Sequence, residues 1–165
     1  METVLILDFG AQYSQLIARR VREQNVYCEV KPCSISPAEI KKIAPIGIIL
    51  SGGPQSVYES VSLHVDPALF ALGIPVLGIC YGCQLMAYSL GGTVAAATEA
   101  TAREYGKTPT EFDSDCAIFQ GLPASSVTWM SHGDYISQVP DGFTVTAKTA
   151  VCPTAAMACP EKKLY

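Results

Sequence analysis

One cysteine of this sequence occupies a position typical of a nucleophile. Cys80 lies in the segment Gly-Ile-Cys-Tyr-Gly, between the apolar run 75–79 and a helix-forming run that ends at Gly91-Gly92. A residue at such a strand-to-helix corner sits on a strained turn, and its side chain points outwards. The partial positive charge of the helix N-terminus also favours the thiolate over the thiol. The pattern therefore favours attack by the Cys80 thiolate on a carbonyl carbon.

Backbone N–H groups close to this corner are candidates for holding the oxyanion that such an attack creates. One belongs to Tyr81, and others belong to Gly52 and Gly53 in the loop Ser-Gly-Gly-Pro at 51–54. That loop lacks the Gly-Lys-Ser/Thr ending of a phosphate-binding loop and the spaced glycines of a dinucleotide-binding turn. By itself it is interpreted only as a tight turn.

Sequence alone leaves two other roles open for Cys80. A cysteine outside a disulfide is most often a buried structural residue. Cys80 and Cys83 also form a C-x-x-C pair at a helix start, which is a redox signature. Three predicted strands precede the pair, whereas a redox motif normally lies near the start of its fold, so a redox or stress protein is the minor option. A metal site is not expected, because the chain has neither a second C-x-x-C nor a spaced pair of histidines.

Alternating strands and helices are predicted for the first half of the chain. The strands cover 3–8, 26–31, 46–50 and 75–79, and the helices cover 11–24, 36–43, 66–72 and the run after Cys80. The short links between them indicate βαβ units and a parallel sheet. Ligands bind beyond the carboxyl ends of such strands, where the loops 8–10, 51–54 and 80–82 are expected to meet.

The pattern changes at Thr93. Strands joined by turns are predicted over 93–98, 102–112, 126–132, 143–149 and 154–158. No long helix separates them, so we expect a mixed or antiparallel extension in the C-terminal half. The complete prediction is a single α/β domain over residues 1–165, built on an open, mostly parallel sheet with helices on both faces.

Composition excludes several classes of protein. The 165 residues are 49% hydrophobic and 16% charged, which is typical of a globular domain. A net charge of −4 argues against nucleic acid as a partner, because phosphate binding needs clustered Lys and Arg. No apolar run approaches the ~20 residues of a membrane span, and no secretory signal is visible. The seven cysteines are therefore expected to be reduced thiols in the cytoplasm.

Five motifs together resemble one enzyme family. They are LDFGAQYSQLIARRVRE, ILSGGPQSVY, PVLGICYGCQLMAYSLGG, REYG and WMSHGD. In this order, over essentially the whole chain, they resemble the class I (triad-type) glutamine amidotransferase domain of GMP synthetase. The resemblance implies that Cys80 attacks the side-chain amide of L-glutamine, forms a γ-glutamyl thioester and releases ammonia. It implies no cofactor in this domain, and a synthetase domain or subunit that uses ATP and Mg²⁺ to aminate XMP to GMP.

The same resemblance assigns roles to further residues. Backbone N–H groups of Gly53 and Tyr81 would hold the oxyanion. The residues that would bind glutamine are Gly52, Gln84, Ser131, His132, Gly133 and Asp134. The last four form a loop that would grip the α-amino and carboxylate groups of the substrate, partly through its backbone.

One part of the family pattern is missing from this sequence. The family's general base is a His in a Tyr-Gly-x-Gln-Phe-His-Pro-Glu segment, oriented by the Glu two residues later. The chain ends at Glu-Lys-Lys-Leu-Tyr, where that segment would begin, and its two histidines are His64, expected on the surface, and His132. We therefore expect a domain that is incomplete at its C-terminus and feebly active alone. The rival hypothesis is a non-catalytic docking domain of the same fold.

Overall fold

The computed structural model describes residues 2–97 and 103–165, which form two compact units. Unit 1 comprises the residues up to Met86 together with Glu161–Leu164, and unit 2 comprises Ala87–Pro160 and Tyr165. The sheet of unit 1 is parallel, whereas the strand pairs of unit 2 are antiparallel. This difference follows the change of sequence pattern at Thr93.

A parallel sheet forms the centre of unit 1. Its strands are β1 (Thr3–Asp8), β2 (Tyr27–Pro32), β3 (Gly47–Leu50) and β4 (Val76–Gly78). The helices that follow strands are α1 (Ser14–Glu23), α2 (Pro37–Ile43) and α3 (Tyr81–Ser89). The strands lie in the order β2-β1-β3-β4 with every neighbouring pair parallel, so the α/β prediction is confirmed.

The core of unit 1 lies on both faces of β1. Leu5, Ile6 and Leu7 are consecutive, so their side chains alternate between the faces, yet all three are fully buried. On one face, Ala18 of α1 packs with Ile6 and Cys28. A sheet buried on both faces is typical of parallel strands covered by helices. It holds the loops that follow β1, β3 and β4 at its carboxyl edge.

Two helical predictions for unit 1 are corrected by the structure. The sequence periodicity places Tyr13, Leu16, Ile17 and Val21 on the apolar face of the first helix. Ile17 and Val21 do pack against the core of unit 1, whereas Tyr13 and Leu16 are exposed and the small residues Ser14 and Ala18 are buried. Small side chains allow α1 to approach the sheet closely. The predicted helix over 66–72 is a 3₁₀ helix of five residues, which suits so short a segment.

The last residues of the chain pair with β4. Leu164 forms a parallel bridge with Val76, and the Val76 N–H donates to the Lys163 carbonyl at 2.9 Å. The chain therefore runs in the same direction as β4 at this edge of the sheet.

Antiparallel strands make up unit 2. They are β5 (Thr93–Ala96), β6 (Glu104–Phe112), β7 (Ser125–His132), β8 (Asp134–Gln138), β9 (Thr144–Thr149) and β10 (Ala156–Ala158). One sheet has the order β10-β9-β6-β7, and β5 pairs with β8. Five of these strands match predicted ones, although Thr98 and Ala102, at the adjoining ends of two predictions, lie outside the described residues. β8 was not predicted from the sequence, and the segment 131–134, which was predicted to be a loop, is a corner between β7 and β8.

The sequence also predicts reduced cysteines and no membrane-spanning segment. All seven cysteines lie in the described residues, and none of them is in a disulfide. Over the two described ranges, no helix has the length and apolar character needed to cross a bilayer.

Candidate active site

Cys80 occupies the turn between β4 and α3. Its φ angle is +53°, in the left-handed region that non-glycine residues rarely adopt, and its side chain is exposed. Hydrogen bonds hold the turn on both sides: the Ile79 N–H donates to the Leu50 carbonyl at 2.9 Å, and the Gly82 N–H donates to the Ser51 carbonyl at 3.1 Å. Strained backbone that the surroundings hold in place is typical of functional positions. The structure thus contains the strand–cysteine–helix corner that the sequence predicts.

Two glycines make this corner possible. A Cβ atom on Gly82 would press against the carbonyl oxygen of Leu50 and lie 2.6 Å from the Leu50 Cβ atom. A Cβ atom on Gly78 would lie 2.6 Å from the Cα atom of Cys83. Side chains do not tolerate contacts this short, so only glycine allows α3 to start directly against β3 and β4.

The loop after β3 lies against the Cys80 corner. A Cβ atom on Gly52 would be 3.8 Å from the Cβ atom of Cys80, which is ordinary van der Waals contact. Ser51 fixes this loop, because its hydroxyl accepts a hydrogen bond from the Phe9 N–H at 3.1 Å and donates to the Gly52 carbonyl at 3.0 Å. The loops that follow β1 and β3 are therefore joined, and the β3 loop lies against the Cys80 turn, since the Ser51 carbonyl accepts from the Gly82 N–H.

Tyr81 anchors the first turn of α3. Its buried ring lies 5.3 Å from the ring of Phe9, and its hydroxyl donates to the Leu63 carbonyl at 2.5 Å. Gly53 packs closely on the same ring, since a Cβ atom there would lie 3.1 Å from the Tyr81 Cγ atom. Burial raises the pKa of the Tyr81 phenol above its ordinary value, so the hydroxyl stays neutral and remains a donor. The side chain is thus an anchor, and only the backbone N–H of Tyr81 is available for chemistry.

The remaining predicted residues of unit 1 lie beside this corner. Tyr81 is the first residue of α3, and the first N–H groups of a helix have no partner within the helix. Gln84 is buried on the first turn of α3, and its N–H donates to the Cys80 carbonyl at 3.0 Å. The structure therefore brings Cys80, Gly52, Gly53, Tyr81 and Gln84 together, while their roles in catalysis and binding stay predictions.

The predicted substrate segment belongs to unit 2. Ser131 and His132 end β7, Gly133 makes the corner, and Asp134 begins β8. The Gly133 carbonyl accepts a hydrogen bond from the Ala97 N–H at 2.8 Å, which fixes the corner against the end of β5. The His132 side chain turns to a buried carboxylate, since its Nε2 lies 3.1 Å from Oε2 of Glu104.

Sequence reasoning missed the partners of His132. Glu104 is directly opposite His132 in the β6–β7 pair, and its second oxygen accepts a hydrogen bond from the Thr149 hydroxyl at 2.6 Å. Cys152 also belongs to this cluster. The sole signal in the sequence was a Glu within the Arg-Glu-Tyr-Gly motif, because the other contacts join strands that are far apart along the chain. His64, in contrast, is exposed as expected, and its Nε2 lies 2.8 Å from the Ser62 hydroxyl.

Comparison with known proteins agrees with this geometry. Residues 5–165 match the model of the family described as glutamine amidotransferase class-I. The chain is 54% identical to the GMP synthase (glutamine-hydrolyzing) of Clostridium botulinum strain Alaska E43 and 57% identical to that of Caldanaerobacter subterraneus, over 99% of its own length. It spans 31% of the length of each of these relatives.

Solved structures show the same fold. A candidate GMP synthase subunit from Thermoplasma acidophilum superposes with a TM-score of 0.83 at 29% identity, covering 100% of this chain and 81% of that one. A glutamine amidotransferase from Thermotoga maritima superposes with a TM-score of 0.74 at 23% identity, covering 99% of this chain and 73% of that one. At its lower identity, the second likeness bears on the fold alone.

Proposed function

This chain belongs to the class-I glutamine amidotransferase family, and from that premise we propose that it is the glutamine-hydrolysing part of a GMP synthase. Cys80 is the proposed nucleophile, and the side-chain amide of L-glutamine is the proposed substrate. The observation that carries this proposal is the exposed thiol on a left-handed turn, with the Gly52-Gly53 loop in contact with the turn. A buried structural cysteine would need neither the strained turn nor the exposure.

The proposed reaction has two covalent steps. The Cys80 thiolate attacks the amide carbon of glutamine, and the C=O electron pair moves to the oxygen to form a tetrahedral oxyanion. The C–N bond then breaks, the nitrogen takes up a proton, and ammonia leaves behind a γ-glutamyl thioester. Water attacks the thioester and the C–S bond breaks; the oxygen of the water becomes part of the glutamate carboxylate, one of its protons returns to the Cys80 sulfur, and the other goes to solvent. No cofactor takes part in these steps.

Two backbone N–H groups are proposed to stabilise the oxyanion. Those of Gly53 and Tyr81 are suited to this role because both residues adjoin the corner and are held rigidly, Gly53 by the Tyr81 ring and Tyr81 by the Leu63 carbonyl. Donors fixed in advance need no reorganisation when charge develops. Losing one such donor typically costs about 10²–10³ in rate.

The residues that bind the α-amino and carboxylate groups of glutamine are assigned by resemblance. We propose Gly52 and Gln84 in unit 1 and the corner Ser131-His132-Gly133-Asp134 in unit 2. Rigid hydrogen bonding supports the second assignment: the His132 Nδ1 lies 3.1 Å from the Asp134 carbonyl, and the Gly133 carbonyl is held by Ala97. A corner fixed in this way presents its remaining backbone groups in a constant geometry.

By resemblance to the family, we propose that the group that deprotonates Cys80 is the His of a Tyr-Gly-x-Gln-Phe-His-Pro-Glu segment, oriented by the Glu two residues later. The 165 residues do not contain that segment.

The activity of the whole protein is also a proposal. We propose that the ammonia passes to a synthetase part that uses ATP and Mg²⁺ to aminate XMP to GMP, in the cytoplasm. The names of relatives more than 50% identical support this, although the chain spans 31% of their length. The loop 51–54 lacks the Gly-Lys-Ser/Thr ending of a phosphate-binding loop, so the nucleotide chemistry is assigned to the synthetase part.

A glutamine-mimicking electrophile tests the proposal. We expect a diazo-ketone analogue of glutamine to label Cys80 in the intact protein that contains this chain, and we expect glutamine to slow the labelling. Cys80→Ala should abolish labelling and lower glutamine-dependent ammonia release by about 10⁴-fold or more, because the covalent route is lost. Peptide mass spectrometry locates the label.

The matched control is Cys83→Ala, three residues along α3. It should still be labelled at Cys80 with the same protection by glutamine. Label on Cys83 in the unsubstituted protein, or labelling of Cys80 that glutamine leaves unchanged, would favour thiol redox chemistry and reject the amidotransferase assignment. Protected labelling without any ammonia release would favour the docking domain.

A further inference from the structure

Three side chains that can bind a metal converge in unit 2, outside the Cys80 corner. Glu104 is the first residue of β6, His132 is the last residue of β7, and Cys152 lies in the turn after β9. Their ligand atoms all lie within 4.8 Å of one another. All three are largely buried: the side chains of Glu104 and His132 are 6% and 13% exposed, and Cys152 is 2% exposed.

Both ring nitrogens of His132 face oxygen atoms. Its Nδ1 lies 3.1 Å from the Asp134 carbonyl oxygen, and its Nε2 lies 3.1 Å from Oε2 of Glu104. A carbonyl oxygen only accepts, so Nδ1 carries a hydrogen and donates it to Asp134, and Nε2 and Oε2 face each other across a short gap. The space between Nε2 and Oε2 therefore suits either a proton or a metal ion.

Thr149 fixes the carboxylate in the orientation of a ligand. Its hydroxyl oxygen accepts hydrogen bonds from the N–H groups of Cys152 at 2.9 Å and Val151 at 3.3 Å. Its single hydrogen is then directed at Oε1 of Glu104, 2.6 Å away, which leaves Oε2 facing the cluster. Metal sites are commonly supported in this way, with the second nitrogen of the His bonded to a carbonyl and the second oxygen of the carboxylate bonded to a hydroxyl.

We propose that Glu104 Oε2, His132 Nε2 and Cys152 Sγ bind one Zn²⁺ ion. Zinc bonds of about 2.0–2.3 Å in a tetrahedron place ligand atoms about 3.4 Å apart, so only small side-chain movements are needed from the observed arrangement. One thiolate, one imidazole and one carboxylate form a ligand set that suits zinc better than the oxygen-preferring Mg²⁺ or Ca²⁺. This proposal departs from the expectation of no metal, which rested on local sequence spacing.

Charge balance favours this site despite its burial. A Zn²⁺ ion bound here would face a carboxylate, a thiolate and a neutral imidazole, because metal binding displaces the protons of its ligands to solvent. The two negative charges balance the two positive charges of the ion, so the loaded cluster has no uncompensated buried charge.

The site lies at the corner that carries Gly133. Zinc there would join the end of β7 to the turn after β9 and brace residues 131–134. The zinc ion takes no part in the glutamine reaction, and its binding is measured independently of that activity.

Cobalt is the probe for this site, because a thiolate bound to Co²⁺ gives a charge-transfer absorption. We use the intact protein with Cys80→Ser and Cys83→Ser, so that the C-x-x-C pair contributes nothing. We expect one Co²⁺ per chain, displaced by Zn²⁺, and loss of the absorption in Cys152→Ser. Glu104→Gln should weaken binding by about 10-fold or more. Cys116→Ser, a change at another buried cysteine of unit 2, is the matched control and should retain the absorption.

A second measurement needs no substitution in the cluster, so its result is not affected if a cluster variant fails to fold. X-ray absorption of the zinc-loaded protein should show one sulfur ligand, with the remaining ligands nitrogen or oxygen. Two or more sulfur ligands, an absorption that persists in a folded Cys152→Ser protein, or no saturable binding would each overturn the proposal.

Discussion

The Cys80 corner of unit 1 and the Glu104–His132–Cys152 cluster of unit 2 bring reactive groups together in opposite ways. The corner is built by consecutive residues, and its chemistry depends on backbone shape: a left-handed turn, two glycines and a helix start. The cluster is built by side chains that are distant in the sequence: His132 follows Glu104 by 28 positions, and Thr149 follows it by 45. One thiol is exposed, whereas the other is buried.

The contrast explains which of the two sites a sequence reveals. A corner leaves a local signature, because the same few residues must satisfy sterics and chemistry together. A cluster leaves no local signature, because each of its residues fits the pattern of its own segment and is brought close to the others only by the pairing of distant strands. It follows that replacing a glycine should destabilise the corner, while a nearly isosteric substitution that removes a hydrogen-bonding group should destabilise the cluster.

The largest expected effect is that of Gly82→Ala. The added Cβ atom would press on the Leu50 carbonyl oxygen and lie 2.6 Å from the Leu50 Cβ atom, both on a central strand that cannot move easily. Overpacking of this kind costs about 3 kcal/mol, which outweighs the gain of up to about 1 kcal/mol from restricting the unfolded chain. Chemical denaturation of the variant should show this loss in the free energy of unfolding.

Gly47→Ala is the control for that prediction. Its Cβ atom would meet only the Pro75 carbonyl oxygen at 3.8 Å, an ordinary contact. Its free energy of unfolding should stay the same or rise by up to about 1 kcal/mol. If Gly82→Ala is as stable as Gly47→Ala, the corner does not depend on close backbone packing.

Particular elements show where the sequence was sufficient and where it was not. The parallel sheet was predictable because short apolar strands alternate with helical segments; Ser36, the first residue of the predicted helix 36–43, forms a capping box with Glu39 in the structure. The buried face of α1 was only partly predicted, since hydrophobicity favoured Tyr13 and Leu16 while close packing selected Ser14 and Ala18.

Non-local contacts account for what was missed. β8 follows β7 after the single residue Gly133, and its pairing with β5 is not visible in its own composition. For the candidate site, the thiol and both glycine-bearing loops were predicted from the strand–turn–helix pattern, whereas Gln84 was assigned only by the family resemblance. Glu104, Thr149 and Cys152 were not predicted, because their meeting is set by the β6–β7 register and by the turn after β9.

A smaller effect is expected at the cluster from Thr149→Val, tested with chelator present so that bound metal does not contribute. The change keeps the shape of the side chain but removes the donor to Glu104 and the acceptor for the Cys152 N–H. Losing a hydrogen bond to a charged, buried group should lower the free energy of unfolding by about 2 kcal/mol.

Thr146→Val on the same strand is the matched substitution with the opposite expectation. Among the described residues, the buried hydroxyl of Thr146 has no hydrogen-bond partner, so its removal should be neutral or should raise stability by up to about 1 kcal/mol. Equal effects of the two substitutions would mean that the hydrogen bonds of Thr149 do not hold the cluster together.

The smallest expected effect is a loss of stability at alkaline pH that comes from the surroundings of the corner. Burial raises the pKa of the Cys33 thiol above its ordinary value of 9.0, with the charge of Asp8 adding to it, and burial raises the pKa of the Tyr81 phenol above 10.0. In both cases the folded state holds the proton more tightly than the unfolded chain does. Stability from these groups is therefore complete below pH 9.0 and declines as the pH rises above it.

The slope of that decline distinguishes the two groups. It cannot exceed about 1.4 kcal/mol per pH unit for each group, because that is the limit for one proton. Cys33→Ala should flatten the decline from about pH 9 upwards, and Tyr81→Phe should act only about one unit higher, following the ordinary values of the two groups. Urea unfolding across this range measures both slopes. A decline that neither substitution changes would mean that Cys33 and Tyr81 do not hold their protons more tightly in the folded state. The contrast between a corner supported by neutral buried groups and a cluster of hydrogen-bonded polar side chains would then fail.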